Sequence, residues 1–158
     1  MQYSQRRYKN TGIFDRLFRP SSSKSSIDLQ RSLEGIQLGT TVELFESDSA
    51  WQEIVEPEKA MFESGLLGEK LFMMSSGDKQ FVCGFVFDKL YKVGITAPAS
   101  DTDFYLKQFT DKYGRPIKPE FGCYMWENDN IGLELIKGEA QLNIFLTDKN
   151  LLKKASGV

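Results

Sequence analysis

The residues of this sequence that could take part in acid–base chemistry are carboxylates, because the chain contains no histidine. Triads in which histidine activates a serine or a cysteine are therefore excluded for this chain by itself. Two groups of acids stand close together in the sequence: Glu56, Glu58 and Glu63, and Asp101 with Asp103. The first group falls on a predicted helix, where solvated charge is the default interpretation, and helix capping explains the second. We therefore predict no catalytic residue, and a converging carboxylate pair is the alternative.

The two cysteines, Cys83 and Cys123, both fall in predicted strands. Free buried thiols are the preferred interpretation, and a disulfide or a reactive pair is the alternative. Two separated cysteines without histidine lack the ligand spacing of a metal site. The sequence also lacks a phosphate-binding loop and a dinucleotide fingerprint, so we expect neither a metal nor another cofactor.

Aromatic residues suggest a site for recognition rather than for catalysis. The chain holds twelve Phe, six Tyr and two Trp, which favours a packed, sheet-rich globule. Within the run 124–126, Tyr124 and Trp126 could line a recognition surface. Core packing is the alternative for at least part of this run, since aromatic side chains commonly fill the space beneath such sheets.

An amphipathic segment, GIFDRLFR, lies near the N-terminus at residues 12–19. On a helix its four large apolar residues share one face. Pro20 ends the segment, and the serine-rich stretch 21–26 is typical of a flexible linker. We interpret the segment as a docking peptide for a partner groove or an anionic membrane surface. An incidental apolar patch in a disordered tail, or a helix packed on its own domain, are the alternatives. The predicted docking residues are Ile13, Phe14, Arg16, Leu17, Phe18 and Arg19.

Charge is divided unevenly along the chain, although the formal net charge is only −2. Residues 1–24 hold six basic side chains and one acid, whereas the remaining residues hold fourteen basic and twenty-one acidic side chains. An acidic body disfavours nucleic acid as the main partner, because neutralising phosphates needs clustered Lys and Arg. The sequence has no run of eighteen apolar residues and no apolar secretory region at the N-terminus, so we expect a cytoplasmic protein.

Residues 81–95, FVCGFVFDKLYKVGI, organise the predicted fold. They alternate as two strands joined at Asp88-Lys89, and the first strand is apolar on both faces, which indicates a central position. The best helix signal follows over residues 100–114, from a cap at Ser100 to a terminal Gly114. Further short helices are expected around Trp51 and from Pro57 onward.

Three more strands are predicted over 121–127, 131–137 and 140–146, before a last helix capped by Thr147 or Asp148. Helices and strands thus come in runs, which predicts an α+β fold: an antiparallel sheet of about five to six strands with helices packed mainly on one face. At 158 residues the chain fits one domain with a tail. We place the flexible basic tail at residues 1–31 and the globular domain at 32–158.

Four short motifs follow one another along the chain in the order in which a known family has similar motifs. They are the LGTT start at 38–41, FVFDKLYKV at 85–93, the helix end LKQFTDKYGRP at 106–116 and the aromatic strand 124–126. Together, over residues 34–148, they resemble small bacterial domains of the SmpA and β-lactamase-inhibitor-protein-like type. That resemblance implies a helical pair against an antiparallel sheet and a role in binding other proteins, in envelope assembly or enzyme inhibition.

Two hypotheses of function follow from these patterns. The first is a non-enzymatic protein-binding domain, an adaptor, assembly factor or inhibitor of immunity type, with the N-terminal docking peptide. The second is a small-molecule-binding or carboxylate-dependent enzyme domain, with a pocket between helices and sheet. We expect a protein partner of unknown identity, a possible contact of the tail with an anionic membrane, and no nucleic acid.

Overall fold

The computed structural model describes residues 27–157, apart from 57, 62–65 and 67. The predicted docking peptide at 12–19 lies outside the described residues. Residues 27–31, which the sequence assigned to the tail, pack on the domain. Leu29 is buried in the main core, and the carbonyl of Ile27 accepts a hydrogen bond of 2.9 Å from the Asn128 side chain.

The described elements come in runs, as the α+β prediction requires. The strands are β1 (Ser32–Leu33), β2 (Ile36–Gln37), β3 (Gln52–Glu53), β4 (Lys70–Ser76), β5 (Lys79–Val86), β6 (Lys89–Pro98), β7 (Cys123–Glu127), β8 (Ile131–Lys137) and β9 (Gln141–Asp148). The helices are α1 (Val42–Glu46), α2 (Thr102–Tyr113) and α3 (Lys149–Ala155), with 3-10 turns at Glu58–Met61 and Ala99–Asp101.

Within the described part of the chain, seven strands form one antiparallel sheet in the order β3–β4–β5–β6–β9–β8–β7. β1 and β2 form a separate hairpin. The large sheet consists of two three-stranded meanders, β4–β5–β6 and β7–β8–β9, joined where β6 pairs with β9. The fold class and the antiparallel sheet are confirmed, and the short strand β3 brings the sheet to seven strands rather than five or six.

One face of the sheet, here called the core face, carries the main hydrophobic core. Residues paired across adjacent strands project to the same side, so one row of the sheet supplies a continuous apolar line. That row is Phe72, Cys83, Val93, Leu146, Leu133 and Trp126. α1 adds Phe45 and α2 adds Tyr105 and Phe109 to the same cluster.

The third helix belongs to a different cluster. Leu152 of α3 packs with Val86 and Tyr91, away from the core residues that α1 and α2 contact. The helical cover of the described sheet is therefore divided between two clusters. The expectation that helices gather mainly on one face therefore stays a prediction.

The central hairpin is present as β5 and β6, with a two-residue turn at Phe87 and Asp88. Val86 pairs with Lys89 across this turn. The turn therefore lies one residue earlier than the predicted joint at Asp88-Lys89. The first strand is apolar on both faces because Phe81, Cys83 and Phe85 face the core while Val86 meets α3.

Three predicted helices differ from the structure in their described residues. The long helix begins with a 3-10 turn, so α2 proper starts at Thr102, whose hydroxyl donates to the Ala99 carbonyl at 2.6 Å. Its end is as predicted, at Gly114 with φ of 88°. The segment around Trp51 leads into strand β3 instead of forming a helix, because its backbone pairs with β4. The described part of the predicted Pro57 helix is only the turn Glu58–Met61.

Candidate functional site

The sheet face opposite the core face carries buried carboxylates and the half-buried Lys92; we call it the charged face. Lys92 pairs with Thr147, and Thr147 with Gly132, which pairs in turn with Glu127. These residues therefore project to one side. Glu134 projects to the same side and is 2% exposed. Buried carboxylates are unusual in proteins and mark either a structural network or a site.

The most crowded part of the charged face surrounds Glu69, directly before β4. The hydroxyl of Tyr91 donates a hydrogen bond to the buried Glu69 carboxylate. Gly84 lies beneath them, where a Cβ atom would stand 2.9 Å from a Tyr91 ring carbon and 3.2 Å from a Glu69 oxygen. Burial lowers the pKa of the neighbouring Lys92, and the negative charge of Glu69 opposes that change. The cluster is thus closely packed around a glycine.

Two acids near the end of β9 have structural partners: Glu127, on the charged face, and Asp148, which pairs with Ile131 and projects to the other side. Lys149 Nζ lies 3.3 Å from a Glu127 carboxylate oxygen and donates to the Asn128 carbonyl at 2.8 Å. Asp148 caps α3 by accepting from its first backbone N–H groups. Its second oxygen accepts from Arg31 at 2.6 Å. These contacts join β7, β9, α3 and the N-terminal segment, so we assign these carboxylates to the fold and not to acid–base chemistry.

A pocket of about 180 Å³ lies between the β1–β2 hairpin and α2. Leu33 and Phe109 contribute to its apolar lining. At its polar side the Tyr105 hydroxyl donates to Glu34 at 2.9 Å, and Lys79 Nζ lies 3.7 Å from the same Glu34 oxygen. Pockets for cofactors and drug-sized ligands usually measure roughly 300 to 1,000 Å³. This pocket lies below that range and suits a ligand of about the size of a benzene ring.

The structure separates the two residues of the predicted recognition surface. Trp126 is 1% exposed, and its indole N–H donates to the Gly114 carbonyl at 2.8 Å. The packing alternative therefore describes Trp126, which is not available for recognition. Tyr124 is half-buried on the edge strand β7, with Lys118 Nζ 5.5 Å from its ring centroid.

The acids that the sequence offered for catalysis stay apart from the charged face. Glu56 and Glu58 are exposed, and Glu63 lies outside the described residues. Asp101 occupies the N-cap position of α2, and Asp103 is exposed in its first turn. Among the residues that the structure describes, no group of three or more acids and cysteines could hold a metal ion.

Sequence reasoning missed an apolar surface on the loop 114–122, which runs beside the edge of the sheet. Phe121, three positions before Tyr124, is 106% exposed. Ile117 is 51% exposed and pairs with Met125, the residue after Tyr124. We call Ile117, Lys118, Phe121 and Tyr124 the edge-loop surface. The glycines and prolines of this stretch predicted a loop, but a sequence pattern does not tell which apolar loop residues remain in contact with water.

No protein-family model matches the chain, and no curated protein or solved structure matches it either. The described helices are all too short or too polar to cross a bilayer. Fold and surface together define an α+β domain built on a seven-stranded antiparallel sheet. Among the described residues, its most exposed aromatic side chain is Phe121, on the loop beside a sheet edge.

Both cysteines are free and buried, and burial raises the pKa of the Cys83 thiol above its ordinary value. Because the thiolate is the reactive species, we expect neither cysteine to react with an alkylating reagent in the native protein at neutral pH. Both should react once the protein is unfolded in denaturant. Mass spectrometry of the two samples counts the added groups, and rapid double labelling without unfolding would contradict the positions of both strands.

Proposed function

We propose that this chain is a non-enzymatic protein-binding domain, of adaptor, assembly-factor or inhibitor type, which meets its partner through the edge-loop surface. The observation behind the proposal is the exposure of two apolar side chains on one short loop, Phe121 at 106% and Ile117 at 51%. Soluble proteins usually cover grouped apolar side chains. Aromatic anchors surrounded by smaller contacts supply most of the binding energy of protein interfaces.

The loop that presents these side chains is held in one conformation. The backbone N–H groups of Ile117 and Met125 each donate to the carbonyl of the other at 2.8 Å. At the far end Lys137 donates to the Gly122 carbonyl, also at 2.8 Å. Gly122 has φ of 78°, a conformation that other residues rarely adopt. A loop that is already ordered loses little entropy on binding, which favours affinity.

The same hydrogen bonds indicate how a partner would be recognised. Met125 is on the outer edge of the sheet, and both of its backbone groups are occupied by Ile117. A partner strand adding to β7 at this point would have to displace the loop. We therefore propose recognition through side chains, with the Phe121 ring as the anchor and Ile117, Lys118 and Tyr124 as further contacts around this edge.

A small-molecule-binding or carboxylate-dependent enzyme domain is the second candidate. The pocket beside Tyr105 and Glu34 favours it, since both residues line a cavity that also contains apolar side chains. Its small volume and the structural partners of the acids on the charged face support the first candidate over the second.

Three parts of the proposal rest on the sequence by itself. They are a cytoplasmic location, a bacterial origin of the fold as the family resemblance suggests, and a second contact of the N-terminal docking peptide with the partner or with an anionic membrane. Two linked contacts would raise the overall affinity beyond that of either one.

The proposal is tested by replacing Phe121 with the photo-reactive residue benzoylphenylalanine in the full chain, produced in its native cells. Illumination should yield one discrete cross-linked protein. The matched control carries the same residue at Phe104, which is 64% exposed on α2, and should not yield that product. An absence of product at position 121, or the same products at both positions, would overturn the proposal.

A second pair of variants separates binding from accidental capture. Ile117→Ser should lower the yield of the Phe121 product about tenfold, as expected for an interface contact. Leu44→Ser removes an apolar side chain of comparable exposure on α1 and should leave the yield unchanged. Equal losses from the two variants would show that the product does not depend on this surface.

A further inference from the structure

The turn of the central hairpin is built from residues that do not suit it. Phe87 and Asp88 have φ of 52° and 61°. A two-residue turn with positive φ at both positions favours Asn and Gly, because a side chain in this region of backbone space is strained. A bulky aromatic residue is among the least suitable for it. Backbone strain of this kind persists where the surrounding structure enforces it, and it is concentrated at functional sites.

The same Phe87 is also exposed, at 55% of its surface. Lys154 of α3 places its Nζ 4.8 Å from the centroid of the ring. Asp88 and Lys89 are exposed beside it. We call Phe87, Asp88, Lys89 and Lys154 the hairpin tip. It joins one aromatic ring to two lysines and one aspartate, a net charge of +1, on a body that is acidic overall.

The tip is mounted rigidly on the domain. The Asp88 carbonyl accepts from the backbone of Val42 at 2.9 Å, and Leu90 exchanges 2.8 Å hydrogen bonds with Gly39 and Thr40. Below the turn, Val86 is buried against Leu152. The strained turn is therefore fixed from both sides, and the Phe87 ring is held where it meets solvent.

We propose that the hairpin tip is a contact site for the surface of a bilayer that contains anionic lipids. An exposed apolar ring on a turn can enter the boundary between headgroups and acyl chains, as Phe side chains of interfacial segments do. A protein hot spot, in contrast, is surrounded by other packed contacts. Lys89 and Lys154 are attracted by the negative surface potential of such a bilayer. The site is separate from the edge-loop surface and goes beyond the proposed protein binding.

The test uses the full chain with Phe87→Trp and vesicles of phosphatidylcholine with or without phosphatidylglycerol. The emission of the unsubstituted protein, which contains Trp51 and Trp126, is subtracted. We expect a blue shift and protection from acrylamide quenching with the anionic vesicles and little change with the neutral ones. Phe104→Trp, at a similarly exposed position on α2, should show no shift with either. Equal shifts at both positions, or none at position 87, would overturn the proposal.

Two further variants, both in the Phe87→Trp protein, assign the contact to the tip. Lys89→Gln with Lys154→Gln should weaken partitioning into anionic vesicles roughly 25-fold, since each lysine near such a surface contributes about a factor of five. Phe14→Glu with Leu17→Glu removes the apolar face of the N-terminal docking peptide. The shift at position 87 should persist in that variant when the vesicle concentration is raised to saturation. Its complete loss would show that the tip is not itself a lipid contact.

Discussion

Phe85→Ala should lower the free energy of unfolding by about 3 to 5 kcal/mol, the usual range for removing a fully buried Phe. The ring is 1% exposed on the central strand β5. It packs edge to face against Phe45 and Phe72, with centroid distances of 4.8 and 5.5 Å. These neighbours come from α1 and β4, so no single element could move in to fill the cavity.

Denaturant melts at constant temperature measure this change through the transition midpoint. Phe104→Ala is the matched control, because its ring is mostly exposed on α2 and should change stability by no more than about 0.5 kcal/mol. A loss below about 1 kcal/mol for Phe85→Ala would mean that this ring does not fill the core in solution.

Trp126→Ala should cost a similar amount, about 3 to 5 kcal/mol. The indole lies between the sheet and α2, with its centroid 5.5 Å from that of Phe109 in an edge-to-face arrangement. Its N–H donates to the carbonyl of Gly114, at the end of α2. The substitution therefore leaves a cavity and also removes the donor that connects the strand to the helix end.

The sequence left two roles open for Trp126, core packing and partner recognition, and this variant distinguishes them. Its stability is measured in the same melts, with Tyr124→Ala as the neighbouring control on β7. Tyr124 is only half-buried, so its loss should be clearly smaller. If Trp126→Ala kept normal stability and abolished partner cross-linking at position 121, the indole would belong to the recognition surface after all.

The parts of the fold that could be predicted are those with strong local patterns. The hairpin of β5 and β6 follows from alternation around 81–95, and the end of α2 follows from Gly114 and the proline after it. Burial of Cys83 and Cys123 was predictable because each falls in a predicted strand. In each case neighbouring residues suffice to select the conformation.

The missed features depend on partners that are distant in the sequence. The local sequence around Trp51 is compatible with a helix and with a strand. The strand forms because Gln52 and Glu53 pair with β4. The charged face could not be predicted because its members, such as Lys92 and Glu134, come together only through strand pairing between the two meanders. Exposure of Phe87 and Phe121 is likewise a property of the folded surface, since buried and exposed phenylalanines are alike in sequence.

The seam between the two meanders has a consequence for how the protein folds. Each meander is closed by short turns, so its contacts are local and form early at little cost in loop entropy. The pairing of β6 with β9 is different, because Lys92 meets Thr147 and Pro98 meets Gln141 only after α2 and the whole second meander have been enclosed. Among the strand pairs of the described sheet, this one joins residues farthest apart in the chain. We therefore expect its formation, rather than that of either meander, to limit the rate of folding.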